Sequence, residues 1–426
     1  VSGENDARSA DPVPFEPSLP ASMRNRQEGL RSGWTTGTCA SAAAKAAVLT
    51  LVTGHPVTSV EVALPFGDRV FFAVERCERG KDWAEAVVVK DAGDDPDVTH
   101  GAHLTARVRF VATPGVQIEA GVGVGRVTKP GLGLPVGSAA VNSVPRRMIR
   151  EMLLEGLAQA AGQGGVGAAR QGVAHSLPGS VPAGGGREGG EVSRGENVQG
   201  EPGLEVTISV PGGEEMAKRT TNPRLGIMGG ISILGTRGIV KPFSTAAYRA
   251  SIVQAIAVAK AQGETEMVFS TGGRTERGAV AAMPWLSQSC FVEVGDHTGL
   301  AFKHAARAGM ERATLVAMMG KMTKLAAGIM MTHYTRSKID HELLSSLARS
   351  VQAPEALVQA LEEANTARHA FELIVAAGEQ QFFRVLVERA GRMIGRWLDG
   401  ALPVEAILTD FDGCFVAGTA GARWEV

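Results

Sequence analysis

Apolar residues recur along this chain in three rhythms, and the rhythms divide it. An Ala-rich stretch from Cys39 to Thr53 has helical length. The hydroxyls of Thr35, Thr36 and Thr38 can cap its first turn, and Gly54 is its natural stop. Beyond it, apolar and polar positions alternate with period two over 59–64, 69–75, 84–90 and 104–111, separated by Gly, Asp and Pro. That pattern predicts an antiparallel sheet. A second helix is expected from Asn142 or Ser143, with Pro145 in its first turn. A strand over 204–210 and a short helix carrying Lys218 and Arg219 should follow.

The C-terminal half has a different style. Continuous apolar runs of strand length, 267–270, 291–294, 314–318 and 405–409, alternate with helical stretches at 246–262, 300–308 and 382–397. Such alternation predicts a mostly parallel α/β sheet. Thr271-Gly272-Gly273-Arg274, Gly295-Asp296, Gly320-Lys321 and Asp410-Phe411-Asp412-Gly413 each follow one of these strands. They should share the carboxyl edge, where open α/β sheets bind ligands.

Two segments show neither rhythm. Residues 1–29 are polar and Pro-bearing, and read as a disordered leader upstream of a start near Met23. Residues 162–203 are Gly, Ala, Pro, Ser and Glu with few large apolar side chains, a composition that cannot offset its ordering entropy. The expected organisation is therefore a leader over 1–29, an α+β domain over 30–225 interrupted by a low-complexity insertion at 162–203, and an α/β domain over 226–426.

Composition narrows the function. A formal charge of -1 gives no global basic field for nucleic acid or an anionic membrane. No uninterrupted apolar stretch approaches the roughly 20 residues that span a bilayer. Cys39, Cys77, Cys290 and Cys414 lie far apart without a CxxC pair, which fits reduced thiols and a cytoplasmic location. The acidic run 91–97 lacks the final Glu of an EF-hand and reads as a solvated turn.

Familiar catalytic signatures are missing. Gly121-Val122-Gly123-Val124-Gly125 ends on Arg126 with no helix behind it, so a Rossmann dinucleotide site is poorly supported. Gly320-Lys321 with Thr323 lacks the first glycine of a P-loop, and neither HExxH nor GxSxG occurs. The unusual feature is the run Thr220 to Pro242, with six Gly or Pro positions from Pro223 to Gly238. Together with hydroxyls and Arg224, this reads as a ligand-lining crossover in preference to a plain linker.

That run resembles the signature of the CbiD family, the cobalt-precorrin-5B C1-methyltransferases. Further blocks resemble the family in the same order: Trp34-Thr35-Thr36-Gly37-Thr38-Cys39, Val127-Thr128-Lys129-Pro130-Gly131-Leu132-Gly133, Asn142-Ser143-Val144-Pro145-Arg146-Arg147-Met148-Ile149, and Gly320-Lys321-Met322-Thr323-Lys324 through Gly328. Departures are Arg237 in place of a small residue, His297 where an aromatic is commoner, and the long insertion. The resemblance implies an α+β domain like the second domain of ribosomal protein S5, followed by a three-layer α/β domain.

It also implies S-adenosylmethionine as methyl donor and a cobalt-containing tetrapyrrole as small-molecule substrate, with no metal ligated by the protein. Thr35, Thr36, Lys129, Arg146, Arg224, Lys241, Lys321 and Lys324, with Lys218, are the candidates to meet the substrate and its carboxylates. Gly229, Gly230, Gly235, Thr236, Gly272 and Gly273 are candidates for the donor, with Asp296 or Glu215 facing its positive end. His333 and Asp340 are candidates to move a proton. Transient contacts with neighbouring pathway enzymes and a second copy of the chain are the other expected partners. The competing reading is a non-catalytic carrier of corrinoid intermediates, which would not bind the donor.

Overall fold

The computed structural model describes residues 12–17, 29–162, 202–333 and 340–425. Contacts divide the chain into two compact units, Gln27–Phe243 and Ser244–Val426, the second taking Val1–Arg26 with it.

In Gln27–Phe243 the elements are β1 (Gly33–Trp34), α1 (Thr36–Thr53), β2 (Ser59–Ala63), β3 (Arg69–Ala73), β4 (Arg76–Arg79), β5 (Trp83–Val89), β6 (His103–Phe110), β7 (Val116–Ala120), β8 (Arg126–Val127), α2 (Ser143–Gly162), β9 (Leu204–Ser209), α3 (Gly213–Ala217), β10 (Ile227–Met228) and β11 (Ile239–Val240). The main sheet runs β4-β5-β6-β9-β7, antiparallel except for the parallel pair β7 and β9. The period-two reading finds β5 and β6 of this sheet to within a residue, while its other two runs, β2 and β3, pair with each other in a separate two-stranded sheet. It misses the two edges: β4 is Arg-Cys-Glu-Arg, whose charges suit an exposed edge strand but carry no apolar alternation, whereas β7, Val-Gln-Ile-Glu-Ala, does alternate and went unassigned.

Helix α1 is buried along almost its whole length, which its alanines allow because they let neighbouring backbone come close. The Thr35 hydroxyl caps it, accepting from Thr38 N at 3.2 Å, and Gly54 ends it at φ 80°. The short helix α3 stops at Ala217, before the Lys218 and Arg219 expected on it.

The boundary expected at 225/226 falls instead between Phe243 and Ser244. The reason is main-chain hydrogen bonding: Gly37 N donates to Leu234 O, Thr35 N to Gly238 O and Asn142 N to Ile233 O. The 91–97 turn is likewise tied down, by Arg31 on Asp91, Lys90 on Asp97 at 2.7 Å and Phe243 N on Asp95 at 3.0 Å.

In Ser244–Val426 the elements are α4 (Thr245–Ala261), β12 (Glu266–Ser270), α5 (Gly273–Ala282), β13 (Phe291–Glu293), α6 (Thr298–Arg307), β14 (Arg312–Met318), α7 (Met319–Ala326), α8 (His341–Ser350), α9 (Glu355–Glu362), α10 (Ala367–Ala376), α11 (Gln380–Trp397), β15 (Val404–Thr409) and β16 (Phe415–Gly418). The sheet order is β13-β12-β14-β15-β16, parallel throughout except for the hairpin β15-β16. Alternate residues of each strand face opposite cores. Phe269, Leu315 and Leu408 join helices α4, α6, α7 and α11, while Val268, Val316 and Ile407 pack under α5. The chain is thus a mixed α/β protein whose second unit carries helices on both faces of a mostly parallel sheet.

The expected leader and insertion lie mostly outside the described residues. Within the leader, however, 12–17 belongs to the second unit. Phe15 pairs in parallel with Ile329, its N donating to Gly328 O and its O accepting from Met330 N, both at 2.9 Å. Among the described residues no helix is long and apolar enough to cross a membrane.

Candidate functional site

Chain order and space order disagree at one point of the parallel sheet. From β12 the chain crosses by α5 to β13 on one side, then returns by α6 to β14 on the other. The carboxyl ends of β12 and β14 therefore diverge into turns on opposite faces, leaving a crevice between them. A cavity of about 1180 Å³ opens there, lined by residues of Ser244–Val426. The carboxyl-edge segments 271–274, 296 and 320–321 all reach it, while 410–413 does not. Asp410 instead closes the β15-β16 turn, its Oδ1 accepting from Asp412 N and Cys414 N.

Three polar groups organise the wall. The Lys321 ammonium donates to Thr271 O at 2.7 Å and Gly295 O at 3.1 Å, and pairs with Asp296 Oδ1 at 3.1 Å. It ties the end of β12 to the loop after β13. Asp296 Oδ1 also accepts from Thr332 Oγ1 at 3.1 Å. Burial opposes ionisation of Asp296, but the Lys321 charge and the two hydrogen bonds prevail, so its pKa lies below the usual carboxylate range. Lys324 donates to Thr332 O at 3.0 Å and His333 O at 3.4 Å, and its burial pushes its pKa down.

The glycine turn makes the opposite wall. Thr275 Oγ1 donates to Gly272 O at 2.7 Å and accepts from Gly272 N at 3.1 Å, closing the entry to α5. A Cβ on Gly272 would meet nothing within 4 Å, and one on Gly273 only the ends of Arg277 and Glu293 at 3.7 Å. Ligand atoms can approach this backbone directly.

Of the residues singled out from sequence, the cavity gathers Gly272, Gly273, Asp296, Lys321, Lys324 and Asp340. Asp340 also caps α8, accepting from Leu343 N at 2.9 Å. His333 is buried and is not among the lining residues.

Thr35, Thr36, Lys129, Arg146, Arg224, Gly229, Gly230, Gly235, Thr236 and Lys241 belong to the other unit. There Thr36 Oγ1 accepts from Leu234 N at 2.9 Å, and Arg146 donates to Val141 O and Ala139 O. These are ties within the fold. Glu215 pairs with Lys218 at 2.6 Å on the surface of the same unit. Lys129, Thr236 and Lys241 are exposed.

Sequence reasoning missed Thr275, Thr332, Asn365 and Thr366 in the lining. Thr366 had a legible signal, since a Thr before an amphipathic run is an N-cap, and its side chain accepts from His369 N. Thr332 had none, because its role comes from folding beside Asp296.

No cysteine is among the residues lining the cavity. Burial pushes the Cys39 and Cys290 thiols up to about 12, which keeps both protonated at neutral pH.

Comparison with known proteins agrees with the earlier resemblance. The CbiD family model matches residues 23–173 and 190–242, and the model for the CbiD C-terminal domain matches 331–420. The Rubrobacter xylanophilus protein named cobalt-precorrin-5B C(1)-methyltransferase is 53% identical over 96% of this chain and 97% of its own. Proteins of the same name from Salinispora arenicola and Geobacillus kaustophilus are 49% and 46% identical, over 96% and 90% of this chain and 97% and 93% of theirs. A solved structure of the cobalamin biosynthesis protein CbiD from Archaeoglobus fulgidus covers 86% of this chain and 95% of that one at 24% identity, with a TM-score of 0.32. On the strength of the family models and the relatives, this chain belongs to the CbiD family.

Proposed function

We infer that this chain is a methyltransferase that methylates C1 of cobalt-precorrin-5B in cobalamin biosynthesis, with S-adenosylmethionine as donor. The observation that carries this reading is identity of 53% over nearly the full length with a relative of that name. The cavity fits such a donor in kind. It offers an open glycine turn, an ionised carboxylate at Asp296, and apolar surface from Met318, Ile329 and Leu344. Its volume of about 1180 Å³ exceeds the ~300–1000 Å³ typical of small-ligand pockets.

When bound, the donor supplies an electrophilic methyl carbon to a nucleophilic ring carbon. The protein's contribution is to hold, orient and exclude water. Gly272 and Gly273 admit the donor's backbone-facing edge, and Asp296 supplies a fixed acceptor. Lys321 holds Asp296 and the two strand ends in register.

A macrocycle with several carboxylates needs several unspent cations. In this cavity Lys321 is paired with Asp296 and held by Thr271 and Gly295, Lys324 gives two of its three donors to carbonyls, and Arg274 gives one of its five N–H donors to Phe411 O. Lys129 and Lys241, exposed in the Gln27–Phe243 unit, are further cations assigned to the substrate. Of the two proton-moving candidates, Asp340 lines the cavity and His333 does not. The reading also takes Gln27–Phe243 as a domain like the second of ribosomal protein S5, supported by one long helix, α1, against a largely antiparallel sheet and a second, α2, against that helix, and the enzyme as cytoplasmic.

The test is incubation of the protein with cobalt-precorrin-5B and a donor labelled in its methyl group. Label at C1, located by NMR and mass spectrometry, is the expected result. Binding of the corrinoid without transfer would favour a carrier instead.

A further inference from the structure

We propose that Asp296 reads the ribose diol of the nucleoside donor, with Lys321 and Thr332 as the positioning residues that fix its carboxylate. This rests on the methyltransferase reading and adds which part of the donor the cavity recognises.

The first ground is placement. The cavity lies at the reversal of strand order between β12 and β14, the place where open parallel sheets take nucleotides. One strand, β12, delivers the glycine turn, and its outer neighbour β13 delivers the acid. Asp296 stands 24 positions after Gly272, close to the ~20-residue interval at which α/β nucleotide sites place a carboxylate on ribose hydroxyls. No GxGxxG is needed for this geometry, because there is no pyrophosphate to wrap.

The second ground is the state of the carboxylate. Oδ1 is occupied by Lys321 and Thr332, and Oδ2 has no hydrogen-bond partner among the described residues. Asp296 lines the cavity, so Oδ2 is an acceptor left for a ligand.

The third ground decides between two parts of the donor. A carboxylate paired at 3.1 Å with an ammonium presents little net charge to a sulfonium some distance away. What it does present is an oriented, ionised acceptor, and hydrogen bonds to charged acceptors are the strong ones. A ribose diol offers two hydroxyl donors close together. Lys321 cannot drift toward the ligand, because Thr271 O and Gly295 O hold it.

The experiment is calorimetric titration of the full chain with S-adenosylhomocysteine and with its 2′-deoxy and 3′-deoxy forms. Wild type should bind at least one deoxy form about 10- to 100-fold more weakly, the scale of one charge-assisted hydrogen bond. Asp296→Ala should bind S-adenosylhomocysteine weakly and no longer distinguish the three. Lys321→Met should narrow the distinction, a change that loss of stability alone would not produce. Equal wild-type affinity for all three ligands overturns the proposal, and that arm does not depend on a variant folding. Undiminished discrimination in Asp296→Ala also overturns it. Methyl transfer by wild type without ribose discrimination would overturn this inference alone, whereas absence of both transfer and donor binding would overturn the methyltransferase reading with it.

Discussion

A methyl group added at Gly230 would sit 2.2 Å from the Gly123 carbonyl oxygen, whereas one added at Gly272 would meet nothing within 4 Å. Both glycines stand in glycine pairs. In Gln27–Phe243 Gly230 sits where two main chains touch, and Gly235 similarly approaches Thr35, its Cβ position 2.4 Å from Oγ1, while Gly229 has open space around it at a φ of 82°. In Ser244–Val426 the pair leaves a cavity wall bare. Glycine therefore serves backbone packing at Gly230 and Gly235, while the adjacent Gly272 and Gly273 after a strand leave ligand space.

The comparison makes its largest prediction at the packed glycine. Gly230→Ala should destabilise the protein by about 3 kcal/mol or more, because main chain must move to admit the methyl. A denaturant midpoint equal to wild type would show that the contact is not as close as described. Thr36→Val comes next. It removes a buried hydroxyl that accepts from Leu234 N at 2.9 Å, and should cost about 1–3 kcal/mol with no change in donor affinity. Reduced donor affinity with unchanged stability would return Thr36 to the list of ligand-binding residues.

Gly272→Ala should behave oppositely. Its φ of 177° is open to any residue, so stability should shift by no more than about 0.5 kcal/mol while donor affinity falls several-fold. Thermal melts and titration of the same sample separate the two effects.

The smallest effect is on acid stability. The folded pKa of Asp296 is lowered, because the Lys321 charge and the hydrogen bonds from Lys321 and Thr332 outweigh desolvation. Its contribution is therefore complete above the unfolded value of about 3.9 and lost as pH falls through the folded pKa. The stability gap between wild type and Asp296→Asn should shrink below about pH 4. A gap constant down to pH 2 would contradict the assigned pairing.

Much of the fold was legible because its signals are local. Period-two alternation placed β2, β3, β5 and β6, continuous apolar runs placed β12 to β15, and the turn residues after them placed the carboxyl edge. Cations were less legible. Arg146, Lys321 and Lys324 look like free charges in sequence, and only folding shows the carbonyls onto which they close. Helices α8 to α10 went unassigned although each buries one face of an amphipathic pattern. The 12–17 stretch was missed because it pairs through main-chain atoms, which leave no mark on side-chain pattern.

The most direct test of where the donor lies is photo-crosslinking with an azido-adenine form of S-adenosylmethionine, followed by peptide mapping. Label on peptides spanning 271–275, 296 or 318–332, suppressed by excess S-adenosylhomocysteine, is the predicted result. Suppressible label confined to peptides of Gln27–Phe243 would contradict the account.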